Sequence, residues 1–402
     1  MKAPRHLVLL STDFRPLVGG IADHLARLAG GLAKRMPVSV MTSVAQHGAA
    51  RGSAYGVEML APLPARRLDR RVGDGVPFIR KAHTGAYFLA LRRYARRTLA
   101  HIKTTVGDDA AIAIGLWDTA SHFWCEACQR SDLPYALFAY GAELLAPLYG
   151  RLPEWRRRDF VDAAHVIACS HATADLAVHR FELPASPAVV FPSVGPRPAA
   201  DDIARGTEDL RRNVKLHDGP TILSVGRLVP RKGFDLALLS IAALSAEFSG
   251  LDYMIVGDGP ERSRLESLTR ELGLADRVHF LGQVDEQLKW AAYHACDAFV
   301  MPNRVLGGDE WEGFGIVFLE AALSRRPSIA GNTGGAGDAV VDEVTGLLVD
   351  PESPHELTDA LRRLLQNDQL RDRLGRAGEE MASTRFTSDA AAESLRAQLG
   401  WN

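Results

Sequence analysis

The chain holds only 4 cysteines in 402 residues, too few for a disulfide framework to carry a fold of this size. No charge-free apolar stretch reaches 18 residues, so no membrane-spanning helix is predicted. The apolar run before Asp13 is Leu7 to Leu10 alone, too short for the core of a secretory leader. None of the 13 histidines stands in a His-x-x-x-His or His-Glu-x-x-His pattern, and no metal site is predicted. Aromatic residues, at 7%, are not interleaved with the basic stretches as on a nucleic-acid surface. Together these absences predict a cytoplasmic protein in a reducing compartment, with no metal and no nucleic-acid partner.

Basic and acidic residues nearly balance, 47 against 49, but unevenly along the chain. Residues 1–198 hold 25 basic and 16 acidic residues, a charge of +9, and the remainder holds 22 and 33, a charge of −11. A basic half predicts an anionic partner or surface.

The length predicts two or three domains. Short aliphatic or β-branched runs alternate with longer amphipathic stretches in both halves, the pattern of βαβ units and parallel sheets. In the first half, strands are predicted at 6–12, 37–43, 110–115, 135–140, 165–169 and 188–192. Between the first two, Ile21, Leu25, Leu28 and Leu32 recur at helical spacing. Residues 194–206, with Pro, Gly and clustered charge, predict an interdomain connection. The rhythm restarts with strands at 220–226, 252–257, 277–281, 297–301 and 327–330. Helices are predicted near 235–248, 260–273, 285–295, 316–325 and 355–381. Two doubly wound sheets place ligands at the carboxyl ends of their strands, in a cleft.

Residues 307–320, Gly-Gly-Asp-Glu-Trp-Glu-Gly-Phe-Gly-Ile-Val-Phe-Leu-Glu, form an acidic, glycine-rich loop running into an apolar helix, with Glu312 and Glu320 eight positions apart. If the helix starts near Gly315, the N–H groups of Gly315 and Ile316 are free to hold a phosphate. A second segment follows a strand directly, Ser224-Val-Gly-Arg-Leu-Val-Pro-Arg-Lys-Gly-Phe-Asp235, and sets Arg227, Arg231 and Lys232 on one loop. Such cations neutralise a diphosphate, Arg with two prongs and Lys as a point charge. Taken singly, each segment also reads as a capping acid or a solvated basic turn.

Arg227 to Gly233, Val256-Gly-Asp-Gly-Pro260, Val278-His-Phe-Leu-Gly282, Glu312 to Glu320 and Gly334-Gly-Ala-Gly-Asp338 come in the order and spacing of glycosyltransferase family 4, the group 1 glycosyltransferases. Residues 205–385 resemble the donor-binding domain of these retaining GT-B enzymes, and the Arg227 and Glu312 segments look closest to bacterial mannosyltransferases. The resemblance implies an α/β GT-B fold with two Rossmann-like domains facing a central cleft. Residues 1–198 would be the acceptor domain, rejoined by a last helix within 386–402, and 205–385 the donor domain. It implies a metal-independent transfer of a hexose from a UDP- or GDP-sugar to a hydroxyl acceptor, with retention, in polysaccharide or glycolipid synthesis. No separate cofactor is implied.

Carried over by residue, the resemblance gives the donor diphosphate to Arg227 and Lys232 and the ribose hydroxyls to Glu320. Glu312 would meet the donor sugar beside the reacting carbon, where a fixed carboxylate stabilises an oxocarbenium-like transition state. Phe314, Gly315 and Ile316 would offer backbone N–H groups, and Gln283 and Val284 would line the base pocket. Gly19 and Gly20, in Asp13-Phe-Arg-Pro-Leu-Val-Gly-Gly-Ile21, resemble the amino-terminal glycine loop that approaches the diphosphate.

The pattern departs from the family twice. Ala139-Tyr-Gly-Ala-Glu143 puts Tyr140 where relatives carry a His that supports the sugar, keeping the backbone carbonyl and losing the imidazole. Asp338 ends a Gly-Gly loop that usually ends in Glu. The chain also lacks the Asp-x-Asp triplet of metal-dependent transferases with the other common fold.

Cys125 and Cys128 are read as buried free thiols. Arg66, Arg67, Arg70, Arg71, Arg80, Lys81, Arg92, Arg93, Arg96 and Arg97 supply most of the +9, and residues 66–97 predict either a solvated helix face or contact with an anionic membrane or phosphate-bearing acceptor. Two rival readings on the same sheets stay open, a phosphorylase, nucleotide-sugar epimerase or non-catalytic sugar-nucleotide-binding partner, and a nicotinamide oxidoreductase. Against the latter, no Gly-x-Gly-x-x-Gly fingerprint follows the first strand.

Overall fold

The computed structural model describes residues 6–15, 19–42, 55–60, 77–145, 154–306 and 312–401, with 58–59, 77–84 and 354 described by their backbone alone. The chain divides into two units. One comprises residues 1–169, 173–190 and 388–402, the other 170–172 and 191–387.

The first unit holds β1 (His6–Ser11), β2 (Val38–Thr42), β3 (Gly56–Met59), β4 (Ala110–Ile114), β5 (Tyr135–Ala139), β6 (His165–Ala168) and β7 (Ala188–Val189). They pair in the order β3-β2-β1-β4-β5-β6-β7, all parallel. The second unit holds β8 (Thr221–Val225), β9 (Asp252–Val256), β10 (Val278–Gly282), β11 (Ala298–Met301), β12 (Ser328–Gly331) and β13 (Gly346–Val349). Their order is β10-β9-β8-β11-β12-β13, again all parallel. Strands covered on both faces read as continuous apolar runs rather than alternating ones. Leu7 to Leu10, Ile222 and Leu223 are accordingly buried.

Three expectations need correction. Residues 200–214, overlapping the expected connection, form the helix Ala200–Val214 with Ile203, Gly206 and Leu210 buried. Asp201 and Asp202 of the expected connection stand in the helix's first turn, and Arg211 and Arg212, beyond that connection, in its last, each sign where the helix dipole favours it. The long helix expected over 355–381 is two, Pro354–Leu365 and Asp368–Arg385. The Asn367 side chain accepts from the N–H of Leu370 at 2.9 Å and starts the second. β3 and β13 were not foreseen, being four residues each.

Candidate functional site

In the second sheet the chain runs from β8 outward to β10 and then returns to β11 on the other side. Successive crossovers diverge there, which leaves an opening at the carboxyl ends of β8 and β11. Two loops leave from that point, 226–233 and 302–306.

The first loop is tightly folded. A Cβ at Gly257 (φ 129°) would lie 1.9 Å from the Gly226 carbonyl oxygen, so the Gly-Asp-Gly-Pro segment closes on it only because glycine stands there. Lys232 ends a single 3-10 turn, Pro230–Lys232. Its Nζ donates to Glu312 Oε2 at 2.6 Å, and Arg231 Nη1 donates to the same oxygen at 3.0 Å. The Glu312, Lys232 and Arg231 side chains are 12%, 10% and 29% exposed. Burial alone would raise the Glu312 carboxyl, but Lys232 and then Arg231 outweigh it and hold it below the usual carboxylate range.

The Glu312 backbone is fixed from the far side. Its carbonyl accepts from the Gly335 N–H at 2.9 Å. A Cβ at Gly334 (φ 58°) would come within 2.3 Å of that carbonyl oxygen, and one at Gly335 within 2.0 Å of the Gly313 oxygen. The Gly-Gly pair is therefore a packing requirement of the Glu312 loop. Gly315 (φ 89°) then caps the helix Ile316–Leu323, whose first N–H groups have no intrahelical partner. Phe314 is 3% exposed and sits between Phe191 and Phe386, ring centroids 5.9 and 5.5 Å away, so its side chain anchors the loop in the core.

Glu320 is buried on that helix. One oxygen accepts from Lys289 Nζ at 2.8 Å, the other from the Tyr293 hydroxyl at 3.0 Å. Burial would lower the Lys289 ammonium, yet Glu320 and Glu286 together hold it above its ordinary value. Burial first, and Glu320 second, push the Tyr293 phenol well up.

Arg227 is exposed, and its guanidinium has no partner among the described residues. Gln283 is exposed and Val284 half-buried, directly after Gly282 at the end of β10. The Gly282 carbonyl accepts from Gly257 N–H at 2.8 Å, tying that end to the 256–260 loop. Asp338 is occupied elsewhere, accepting from the His171 N–H at 2.7 Å and bonded to its Nδ1 at 2.8 Å.

The second unit thus brings Lys232, Glu312 and the Gly315 helix start together and holds Glu320 on the same helix. Arg231, expected on the cationic loop, is a partner of Glu312 as well. Two partners are not legible as motifs, Lys289 and Tyr293. The signal for the latter pair was a Lys and a Tyr at i, i+4 on a helix whose neighbouring residues Trp290, Ala291 and Ala292 are buried.

In the first unit, Gly19 precedes the helix Gly20–Ala33, and a Cβ there would meet nothing within 4 Å. Residues 16–18 of the same loop lie outside the described residues. Tyr140 follows β5 and is 9% exposed; its N–H donates to the Glu143 carboxylate, and its buried hydroxyl has no partner among the described residues. The ring lies 5.9 Å from that of His24, which is 1% exposed with neither nitrogen partnered among the described residues. Burial, helped by Arg27, drives the His24 pKa down to about 3.

Cys125 and Cys128 are buried and free. On the helix Pro77–Thr105, Leu91, Ala95, Leu99 and Ile102 are buried while Arg92, Arg93, Arg96 and Arg97 are exposed. Arg66, Arg67, Arg70 and Arg71 lie outside the described residues, as do the side chains of Arg80 and Lys81. Among the described residues no helix is long and apolar enough to cross a membrane.

The sequence model of the family "Glycosyl transferases group 1" matches residues 206–381. That segment is a group 1 glycosyl transferase domain. It contains Arg227, Lys232, Gln283, Val284, Glu312, Phe314, Gly315, Ile316 and Glu320, and leaves out Gly19, Gly20 and Tyr140. Over 189 residues the chain is 39% identical to a GDP-mannose-dependent alpha-(1-6)-phosphatidylinositol monomannoside mannosyltransferase of Mycobacterium tuberculosis, covering 46% of this chain and 49% of that one. A D-inositol 3-phosphate glycosyltransferase of Corynebacterium diphtheriae is 33% identical over 253 residues, 60% of this chain and 57% of its own. The match thus spans about half the length of these curated relatives. Anabaena HepE, solved in complex with UDP, superposes with a TM-score of 0.71 at 19% identity, covering 98% of this chain and 99% of that one. The fold is GT-B, as the sequence predicted.

Proposed function

We propose that the chain transfers a hexose from a nucleoside diphosphate sugar to a hydroxyl acceptor, with retention of anomeric configuration. The observation that carries this reading is the set of groups around the switch point of the second sheet: two cations, a fixed carboxylate and a helix start, all within the transferase domain. Lys232 and Arg227 bind the diphosphate with the N–H groups of Phe314, Gly315 and Ile316. Glu320 takes the ribose hydroxyls, positioned by Lys289 and Tyr293, and Gln283 and Val284 meet the base. Glu312 faces the sugar beside the reacting carbon and stabilises the positive charge that grows there.

The departing phosphate takes the proton of the attacking hydroxyl on the same face, so neither a strong base nor a metal ion is needed. The first unit takes the acceptor, with Gly19 and Gly20 offered to an anion and the Tyr140 backbone carbonyl assigned to the substrate in this reading. The names of the relatives support GDP-mannose as donor and a glycolipid or sugar acceptor. The exposed arginines of the helix Pro77–Thr105 support peripheral contact with an anionic membrane from the cytoplasmic side.

The test is to incubate the chain in EDTA with GDP-mannose or UDP-glucose and a panel of hydroxyl acceptors, following the anomeric proton by NMR. Transfer with retained configuration supports the proposal. Inverted product, or transfer that depends on added magnesium, refutes the mechanism.

A further inference from the structure

Three residues of 3-10 turn do not by themselves hold a lysine and an arginine in place, and the Pro230–Lys232 turn is held from outside by Arg304. The Arg304 N–H donates to the Arg231 carbonyl at 2.8 Å, and its Nε donates to the Pro230 carbonyl at 3.2 Å. Its Nη2 reaches both carboxylate oxygens of Asp235, at 3.1 and 2.9 Å, in the first turn of the helix Phe234–Leu244. The two side chains are 15% and 16% exposed. The same turn is pressed onto the residues before Arg304: a Cβ at Gly233 would lie 2.2 Å from the Pro302 carbonyl oxygen.

On the other side, Asn303 Nδ2 donates to the carbonyl and hydroxyl oxygens of Thr333, at 3.2 and 3.1 Å, and the Thr333 hydroxyl donates to the Asn303 carbonyl at 3.0 Å. Asn303 and Arg304 therefore brace the cationic turn against the loop that carries Gly334 and Gly335. They do so at the end of β11, where the strand order reverses.

We propose that Arg304 is a positioning residue for the diphosphate site: it touches none of the groups assigned to the donor, and it sets the turn from which Lys232 and Arg231 reach inward. This rests on the reading of the site given above. Only the planar fork of an arginine supplies a donor to a carbonyl and a charged grip on a carboxylate in one fixed plane, so lysine replaces it in part.

The experiment is calorimetric titration of the full chain with GDP and GMP, and with UDP and UMP, for wild type, Arg304→Gln, Arg304→Lys and Lys232→Ala. Misplacing the turn weakens the diphosphate by roughly tenfold or more. The monophosphate of the same base, which lacks the terminal phosphate assigned to the turn in this reading, moves less than about twofold, and Arg304→Lys recovers part of the loss. If Arg304→Gln lowers diphosphate and monophosphate alike, or neither while Lys232→Ala still loses the diphosphate, Arg304 has no positioning role. If Lys232→Ala keeps full diphosphate affinity, the reading of the site itself fails. Should Arg304→Gln not fold, Asp235→Ala removes the oxygens that hold the same guanidinium and is judged by the same comparison, with Arg264→Gln as the control because Arg264 Nη2 also reaches Asp235 at 3.2 Å.

Discussion

Glu312→Gln keeps the shape of the side chain and removes its charge, and the site geometry makes its effects run in opposite directions. The Glu312 carboxylate is the counter-ion of Lys232 and Arg231, at 2.6 and 3.0 Å. A diphosphate arriving at Lys232 has to displace or share that carboxylate. Raw attraction at about 4 Å and an effective dielectric near 20 is about 4 kcal/mol. Desolvation offsets much of this, leaving about 1.5–3 kcal/mol for a charge-assisted hydrogen bond. If roughly half of that opposes binding, the variant binds the nucleoside diphosphate about 4- to 13-fold more tightly.

The fold meanwhile loses roughly 1–3 kcal/mol, because a buried lysine and a half-buried arginine lose their counter-ion. Turnover falls about 100-fold or more as the carboxylate beside the reacting carbon disappears. Calorimetry with GDP and UDP, a thermal melt and a donor-consumption assay read the three effects. Unchanged or weaker diphosphate affinity together with near-normal turnover would refute the reasoning.

Lys289→Met keeps the aliphatic stem but leaves the buried Glu320 carboxylate with Tyr293 alone; it is expected to cost roughly 3 kcal/mol, and Glu320→Gln in the same chain to restore most of it, both read by thermal melts. His24 titrates near 3 in the folded chain against 6.5 unfolded, so the unfolded state alone takes up its proton below pH 6.5. Stability should therefore fall by about 1.4 kcal/mol per pH unit between those values, and His24→Phe should flatten that slope in melts from pH 7 to 4. Asp252, wholly buried, is bonded to His279 Nε2 at 2.9 Å and His217 Nδ1 at 3.0 Å. Burial works against its charge, but the His279 and His217 bonds hold its pKa below the ordinary value. Its contribution is present above that ordinary value and lost as pH falls through the folded one, so Asp252→Asn should remove part of the acid limb below about pH 4.

The parallel sheets were legible because buried strands are written as short apolar runs, and Leu7 to Leu10 or Ile222 to Val225 need no partner to be seen. The Glu312, Gly315 and Glu320 spacing was legible for a similar reason, since a loop and its helix are contiguous. The contacts that set the site were not. Glu312 meets Lys232 80 positions away, Glu320 meets Lys289 31 away, and Arg304 meets Asp235 69 away. Charge was also misread locally: Asp201 and Asp202 looked like part of a loop and are the dipole-matched first turn of a helix. The Gly334–Gly335 pair was seen as a motif, but that it makes room for the Glu312 and Gly313 carbonyls emerged only from the fold.

The central claim, that the second unit binds a nucleoside diphosphate through Lys232, is tested most directly by thermal unfolding of wild type and Lys232→Ala with UDP, GDP, ADP and NAD, each in EDTA and in magnesium. A ligand at about 100 times its Kd adds about 2.7 kcal/mol to the native state, a shift of several degrees. One nucleoside diphosphate should raise the wild-type midpoint equally with and without metal, and Lys232→Ala should lose the shift. A shift with NAD alone, or one that survives Lys232→Ala intact, would contradict the account.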